Sequence, residues 1–196
     1  MAEKPIVLLG SPLLWAASTP VTDVTADDAQ QAMRDLDDTL ARFRTTTGWG
    51  RGISAVQIGA PIRLTYMRLL PDVWDGARGR SASSQREAAL EEVALFNPEI
   101  VDRSDETFDL WDDCFSFPDL LVRVSRNYRV AVRFQDERGQ MRELTAEGSL
   151  SELLQHELDH LDGILAIDRR IDDRSLCLRE ERDRRRLQGE SARART

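Results

Sequence analysis

The only two histidines in this chain stand four residues apart, within His156-Glu157-Leu158-Asp159-His160. Leucines at 150, 153, 154, 158 and 161 recur every three or four positions around them, so the segment reads as a helix with one apolar face. Four residues are about one helical turn, which projects both imidazoles from the same side where they can share a metal. Glu157 follows the first histidine and can reach a metal-bound water without being a ligand itself. Whatever the chain folds into must bury this helix and open one face of it to a substrate.

Two histidines leave a catalytic metal short of a third protein ligand. Cys114 is one candidate, since a thiolate suits zinc or ferrous iron. Asp162, Asp168 and Glu180 are the others. Glu180 lies twenty residues beyond His160, a spacing that resembles thermolysin-like zinc peptidases, but its charged neighbours read as a solvated helix face.

A length of 196 residues fits one domain, with residues 1–170 as the catalytic unit and 171–196 as a charged helix and tail. The net charge of -8 argues against a DNA or general nucleic-acid binder. The N-terminal apolar runs are too short for a signal peptide, and nothing approaches a membrane span, so cytoplasm is the expected compartment. There a disulfide between Cys114 and Cys177 is not expected. The arginine-rich tail could contact ribosomal RNA, although its interleaved acids favour a merely solvated helix.

Along the chain, Ile6–Leu9 reads as an extended entry that turns at Gly10-Ser11-Pro12. Residues 25–43 carry a helical apolar stripe, with Thr25 as its cap. Ile62–Met67 and Val93–Phe96 read as strands, the second closed by Asn97-Pro98. Residues 71–92 read as a surface insertion, and 128–134 with 141–145 as a hairpin. Ser149 or Ser151 caps the histidine helix and Gly163 stops it. The fold class expected is α+β: mostly antiparallel strands packed around a central metal-binding helix, with N-terminal and C-terminal helices.

Three stretches together are similar to the motifs of the peptide deformylase family. They are Gly50-Arg51-Gly52-Ile53-Ser54-Ala55-Val56-Gln57, Asp112-Asp113-Cys114-Phe115-Ser116, and Gln155-His156-Glu157-Leu158-Asp159-His160. The resemblance runs from about Ile6 to Arg170. It implies hydrolysis of the formyl group from the starting methionine of new proteins at one divalent metal, ferrous iron by preference, with zinc or nickel as alternatives. By position, Cys114, His156 and His160 would be its ligands and Glu157 the acid/base. Gln57 and the backbone N–H of Phe115 would bind the formyl oxygen. Gly50, Gly52, Ile53 and Asp113 would line the path of an N-formylated peptide, or of a small formamide, and Asp112 with Arg126 would form a structural pair.

Several positions depart from the family pattern. Asp112 stands for glutamate, Asp113 for glycine, Phe115 for leucine, Arg51 for an apolar residue and Ser54 for alanine. If the glycine served a positive φ, Asp113 would be strained. Two further readings follow: hydrolysis of another N-formyl or N-acyl amide, or a metal- and peptide-binding protein with little turnover.

Overall fold

A computed structural model of the chain describes residues 3–68 and 92–185. The surface insertion expected over 71–92 lies almost wholly outside the described residues, as does the end of the charged tail.

Helix α1 (Asp27–Thr47) buries Ala29, Leu36 and Leu40 along the expected stripe and ends on Gly48, whose φ of 77° lets its N–H close onto the Arg44 carbonyl. Thr25 does not cap it. The N-cap is Ala26, and Thr25 bonds instead to the Asp23 carboxylate, leaving Asp27 and Asp28 to complement the helix dipole.

Strands β1 (Gly52–Ser54), β2 (Leu64–Arg68), β3 (Glu92–Arg103), β6 (Arg129–Gln135) and β7 (Met141–Glu147) form one antiparallel sheet, ordered β1-β2-β3-β6-β7. Strands β4 (Thr107–Asp113), β5 (Leu120–Asn127) and β8 (Leu176–Leu178) form a second, ordered β4-β5-β8. The β6–β7 hairpin matches its sequence signal. Strand β3 does not stop at Asn97-Pro98. It runs on to Arg103 through register shifts, because Asn97 takes a φ of 50° and its side chain bonds both the N–H and the carbonyl of Val21 at 2.8 Å. Pro98, which has no N–H to give a ladder, sits inside that irregularity.

Helix α2 (Gly148–Leu161) is wedged between the sheets, and every residue from Leu150 to Leu161 is buried. Leu150, Leu153, Leu154 and Leu158 pack on β3, β6 and β7 with Leu95, Val130, Val132 and Phe134. Each leucine so buried is worth about 1.5–3 kcal/mol of transfer free energy. The polar face of α2 turns toward β1, β4 and β5. Neither serine caps the helix, which starts from Glu147. Ser149 accepts from Arg51 and Ser151 donates to the Asn127 carbonyl. Gly163 does follow the helix end, with a φ of 71°, where a Cβ would come 2.6 Å from the Trp15 carbonyl oxygen.

A candidate metal centre between the sheets

The four-residue step on α2 brings the His156 and His160 rings to 4.9 Å between centroids. Cys114 follows β4 directly and points at the same spot, its Sγ 3.2 Å from His160 Nε2. One ligand atom from each of the three residues lies within 4.8 Å of the others, and all three residues are buried. A thiol and two imidazoles this close, shut away from water, form a donor set suited to zinc, iron or nickel. The other candidate ligands are elsewhere. Glu180 is exposed, Asp162 pairs with Arg63, and Asp168 accepts the Leu165 N–H.

A buried charge chain stands behind His156. Its Nδ1 lies 2.9 Å from Asp112 Oδ1, in ion-pair contact though off the line of a straight hydrogen bond. Asp112 Oδ2 accepts from Arg126 at 3.0 Å, and Arg126 also pairs with Asp159, which in turn holds Arg169 at 2.8 Å. Burial alone would raise the Asp112 carboxyl, but the charges of His156 and Arg126 outweigh it and hold it low. Burial would lower His156, yet Asp112 pushes it well up; burial and the His156 charge push His160 well down. The shorter Asp112 therefore reaches Arg126 after all.

Glu157 faces β1. Its Oε2 accepts a 2.7 Å hydrogen bond from Ser54 Oγ, which also donates to the Glu157 carbonyl at 2.9 Å. Its Oε1 lies against Gly52, where a Cβ would come within 2.7 Å. Burial pushes the Glu157 carboxyl up, against the opposing pull of His156 and Ser54. A single turn of 3-10 helix after β1 sets Gln57, whose Oε1 accepts the Ser54 N–H at 2.9 Å and whose Nε2 points at Cys114 Sγ (3.5 Å) and Ser116 Oγ (3.3 Å). Ile53 is fully buried in the core with α1.

The Phe115 ring stacks on Phe43 at 3.8 Å and meets the edge of Trp49 at 5.3 Å. It also explains Gly50, which has a φ of 119° and where a Cβ would come 2.5 Å from Phe115 Cζ. Asp113 is not strained. Among the described residues Asn97 is the only non-glycine with positive φ, and Asp113 ends β4 in ordinary extended geometry. Arg51 does not stand among apolar groups; it reaches α2 and pairs with the buried Glu152 at 2.6 Å. The partners of Ser54, Arg51 and Asp113 were not foreseen, being respectively 103, 101 and 66 residues away.

Comparison with known proteins gives the same picture. The polypeptide deformylase family model matches residues 3–175. A peptide deformylase of Bartonella tribocorum is 36% identical over 169 residues, covering 86% of this chain and 84% of that protein. The crystal structure of peptide deformylase from Thermotoga maritima superposes with a TM-score of 0.71 at 28% identity, over 88% of this chain and 100% of that one. A Met-Ala-Ser-bound class I type b peptide deformylase from Acinetobacter baumannii gives a TM-score of 0.71 at 25% identity, over 86% and 98%. With the match extending through almost every described element and all three motifs, the chain belongs to the polypeptide deformylase family.

Proposed function

We propose that this site removes the formyl group from the N-terminal formylmethionine of nascent peptides, with Glu157 as its acid/base. The observation that carries the reading is the Glu157 carboxylate, anchored by Ser54 and pressed against Gly52 beside the Cys114, His156 and His160 cluster. Membership of the family makes the protein a metallohydrolase. We assign the three clustered residues as ligands of one divalent cation, ferrous iron by preference. When bound, such a cation acts as a Lewis acid and makes water a nucleophile near neutral pH.

The protein's own groups do the rest. Asp112 orients His156 so that Nε2 is the nitrogen turned toward the cluster. Glu157 accepts a proton from the attacking water at Oε1, since Oε2 is engaged by Ser54, and returns it to the leaving nitrogen. Formate and a free α-amine result, and the proton count balances. Gln57 Nε2 and the Phe115 N–H are assigned to the formyl oxygen as it gains charge, each worth about 3–4 kcal/mol to the transition state. Strand β1 has β2 on one side and no strand on the other among the described residues, so an extended peptide can add along Gly50–Gly52. The Met-Ala-Ser-bound Acinetobacter neighbour supports a short peptide as the kind of ligand.

No helix of the described residues is long and apolar enough to cross a membrane. Action on new chains places the proposed work of this site in the cytoplasm. Contact with the ribosome through the tail has less support, because Arg184 and Arg185 are paired with Glu181 and Arg179 turns into the site. The deciding experiment is formate release from formyl-Met-Ala-Ser by anaerobically prepared, iron-loaded protein beside a Glu157→Ala control. Release well above the control is expected; equal release overturns the assignment.

A further inference from the structure

The family match ends at residue 175, yet a side chain beyond it enters the site. Strand β8 pairs with β5 so that Cys177 and Asp113 both lie opposite Leu121, from its two sides. Two residues later the chain crosses the end of β5, where the Arg179 N–H bonds the Asp119 carbonyl at 2.8 Å. The Arg179 guanidinium then lies over the Trp49 ring at 4.5 Å, donates from Nε to the Pro118 carbonyl at 2.8 Å, and pairs through Nη2 with Asp113 at 3.2 Å. Arg179 thus touches both Trp49, which precedes β1, and Asp113, just before Cys114.

We propose that Arg179 is a specificity-determining residue that favours an acidic side chain at the third residue of the formylated peptide. The inference rests on the deformylase reading above. A formyl group held beside Gly52 and Glu157 sends the peptide along β1 toward Trp49. Counted back from Gly52, which opens β1, methionine is assigned to Arg51, the second residue to Gly50, where a φ of 119° turns the chain, and the third to Trp49 and Arg179. Stacking on Trp49 and the bond to Pro118 fix the guanidinium plane, while Nη1 has no hydrogen-bond partner among the described residues. A carboxylate can accept from Nη1 while Asp113 keeps Nη2, the fork geometry that suits arginine. A lysine at that position would meet the guanidinium instead. Asp113, where glycine is usual, and Arg179, beyond the family match, are two halves of one feature.

The test uses formyl-Met-Ala-Glu, formyl-Met-Ala-Gln and formyl-Met-Ala-Lys as C-terminal amides, with KM measured on the iron-loaded full chain. The glutamate peptide should have the lowest KM and the lysine peptide the highest, separated roughly two- to fivefold, as a partly exposed ion pair yields. The chain's net charge of -8 would by itself give the opposite order, so the order is diagnostic. Arg179→Gln should abolish or reverse the ratio, because the guanidinium is gone while the Asp113 carboxylate stays. Asp113→Asn should widen it, because a competing carboxylate is gone. An unchanged ratio in Arg179→Gln, or one that narrows in Asp113→Asn, overturns the proposal while turnover of the glutamine peptide leaves the deformylase reading standing. Should Arg179→Gln fail to fold, the Asp113→Asn ratio decides alone. No formate from any of the three peptides overturns both.

Discussion

Ser54 stands where the family pattern has alanine, and its hydroxyl is committed to the carboxylate assigned as acid/base. A hydrogen bond to a charged group contributes about 1.5–3 kcal/mol. Ser54→Ala should therefore lower kcat by roughly tenfold or more with little change in KM, because it frees Glu157 to rotate without touching the peptide edge. Steady-state kinetics on formyl-Met-Ala-Ser check this, and an unchanged kcat would show that Gly52 and burial alone hold the carboxylate. Gly52 gives the complementary case. A methyl there would come 2.7 Å from Glu157 Oε1 and 3.0 Å from its carboxyl carbon, so the carboxylate must move. Displacement of a reacting group by about 1 Å costs on the order of 100-fold. Gly52→Ala should lose that much kcat while keeping a full complement of metal by elemental analysis, since no ligand atom is touched.

Helix α2 looks half-exposed by its leucine periodicity, yet it is buried all round. Most of its polar stripe is hydrogen-bonded, Ser151 and Gln155 by Asn127, Glu152 by Arg51, Glu157 by Ser54 and Asp159 by Arg126 and Arg169, while His156 is in ion-pair contact with Asp112. Each of these partners except Arg169, which follows Asp159 by ten residues, comes from a strand or connection far off in sequence, which is why periodicity finds the helix and its histidines but not what encloses them. Strands β4 and β5 are not legible for a related reason: Thr107–Asp113 and Leu120–Asn127 mix charges with apolar residues, because one face of the second sheet meets the polar side of α2 and not a uniform core. The motifs, by contrast, were legible because a metal site needs particular residue types at fixed spacing. Arg126 bridges two of the carboxylates and has a nearly buried side chain (3% exposed). Arg126→Met would leave Asp112 and Asp159 without the cation that joins them, at a cost of about 3–5 kcal/mol. Urea unfolding of the metal-free protein should show that loss as a lower midpoint; a loss under about 1 kcal/mol would mean that Arg169 and His156 suffice.

Across the whole molecule, the candidate metal cluster adds one more tie to the polar bonds that already hold α2 against the three-stranded sheet. Cys114 belongs to the three-stranded sheet and packs in a core with Leu14, Val122 and Leu165, whereas the histidines ride on a helix whose leucines belong to the core of the five-stranded sheet. A cation bound by all three therefore ties the two sheets together through α2, and its binding energy adds directly to the stability of the folded form. A ligand at about 100 times its dissociation constant contributes about 2.7 kcal/mol. Removing the metal by chelation should lower Tm by several degrees, on the order of 2–4 °C per kcal/mol for a chain of this size. The effect should vanish in Cys114→Ser, which loses the tie and whose Tm already matches the chelated wild type, and persist in Glu180→Gln, whose carboxylate is exposed and outside the cluster. If Glu180→Gln lost the shift and Cys114→Ser kept it, the helix carrying Glu180 would have to close onto the histidines, and the link between the sheets would not run through the thiolate.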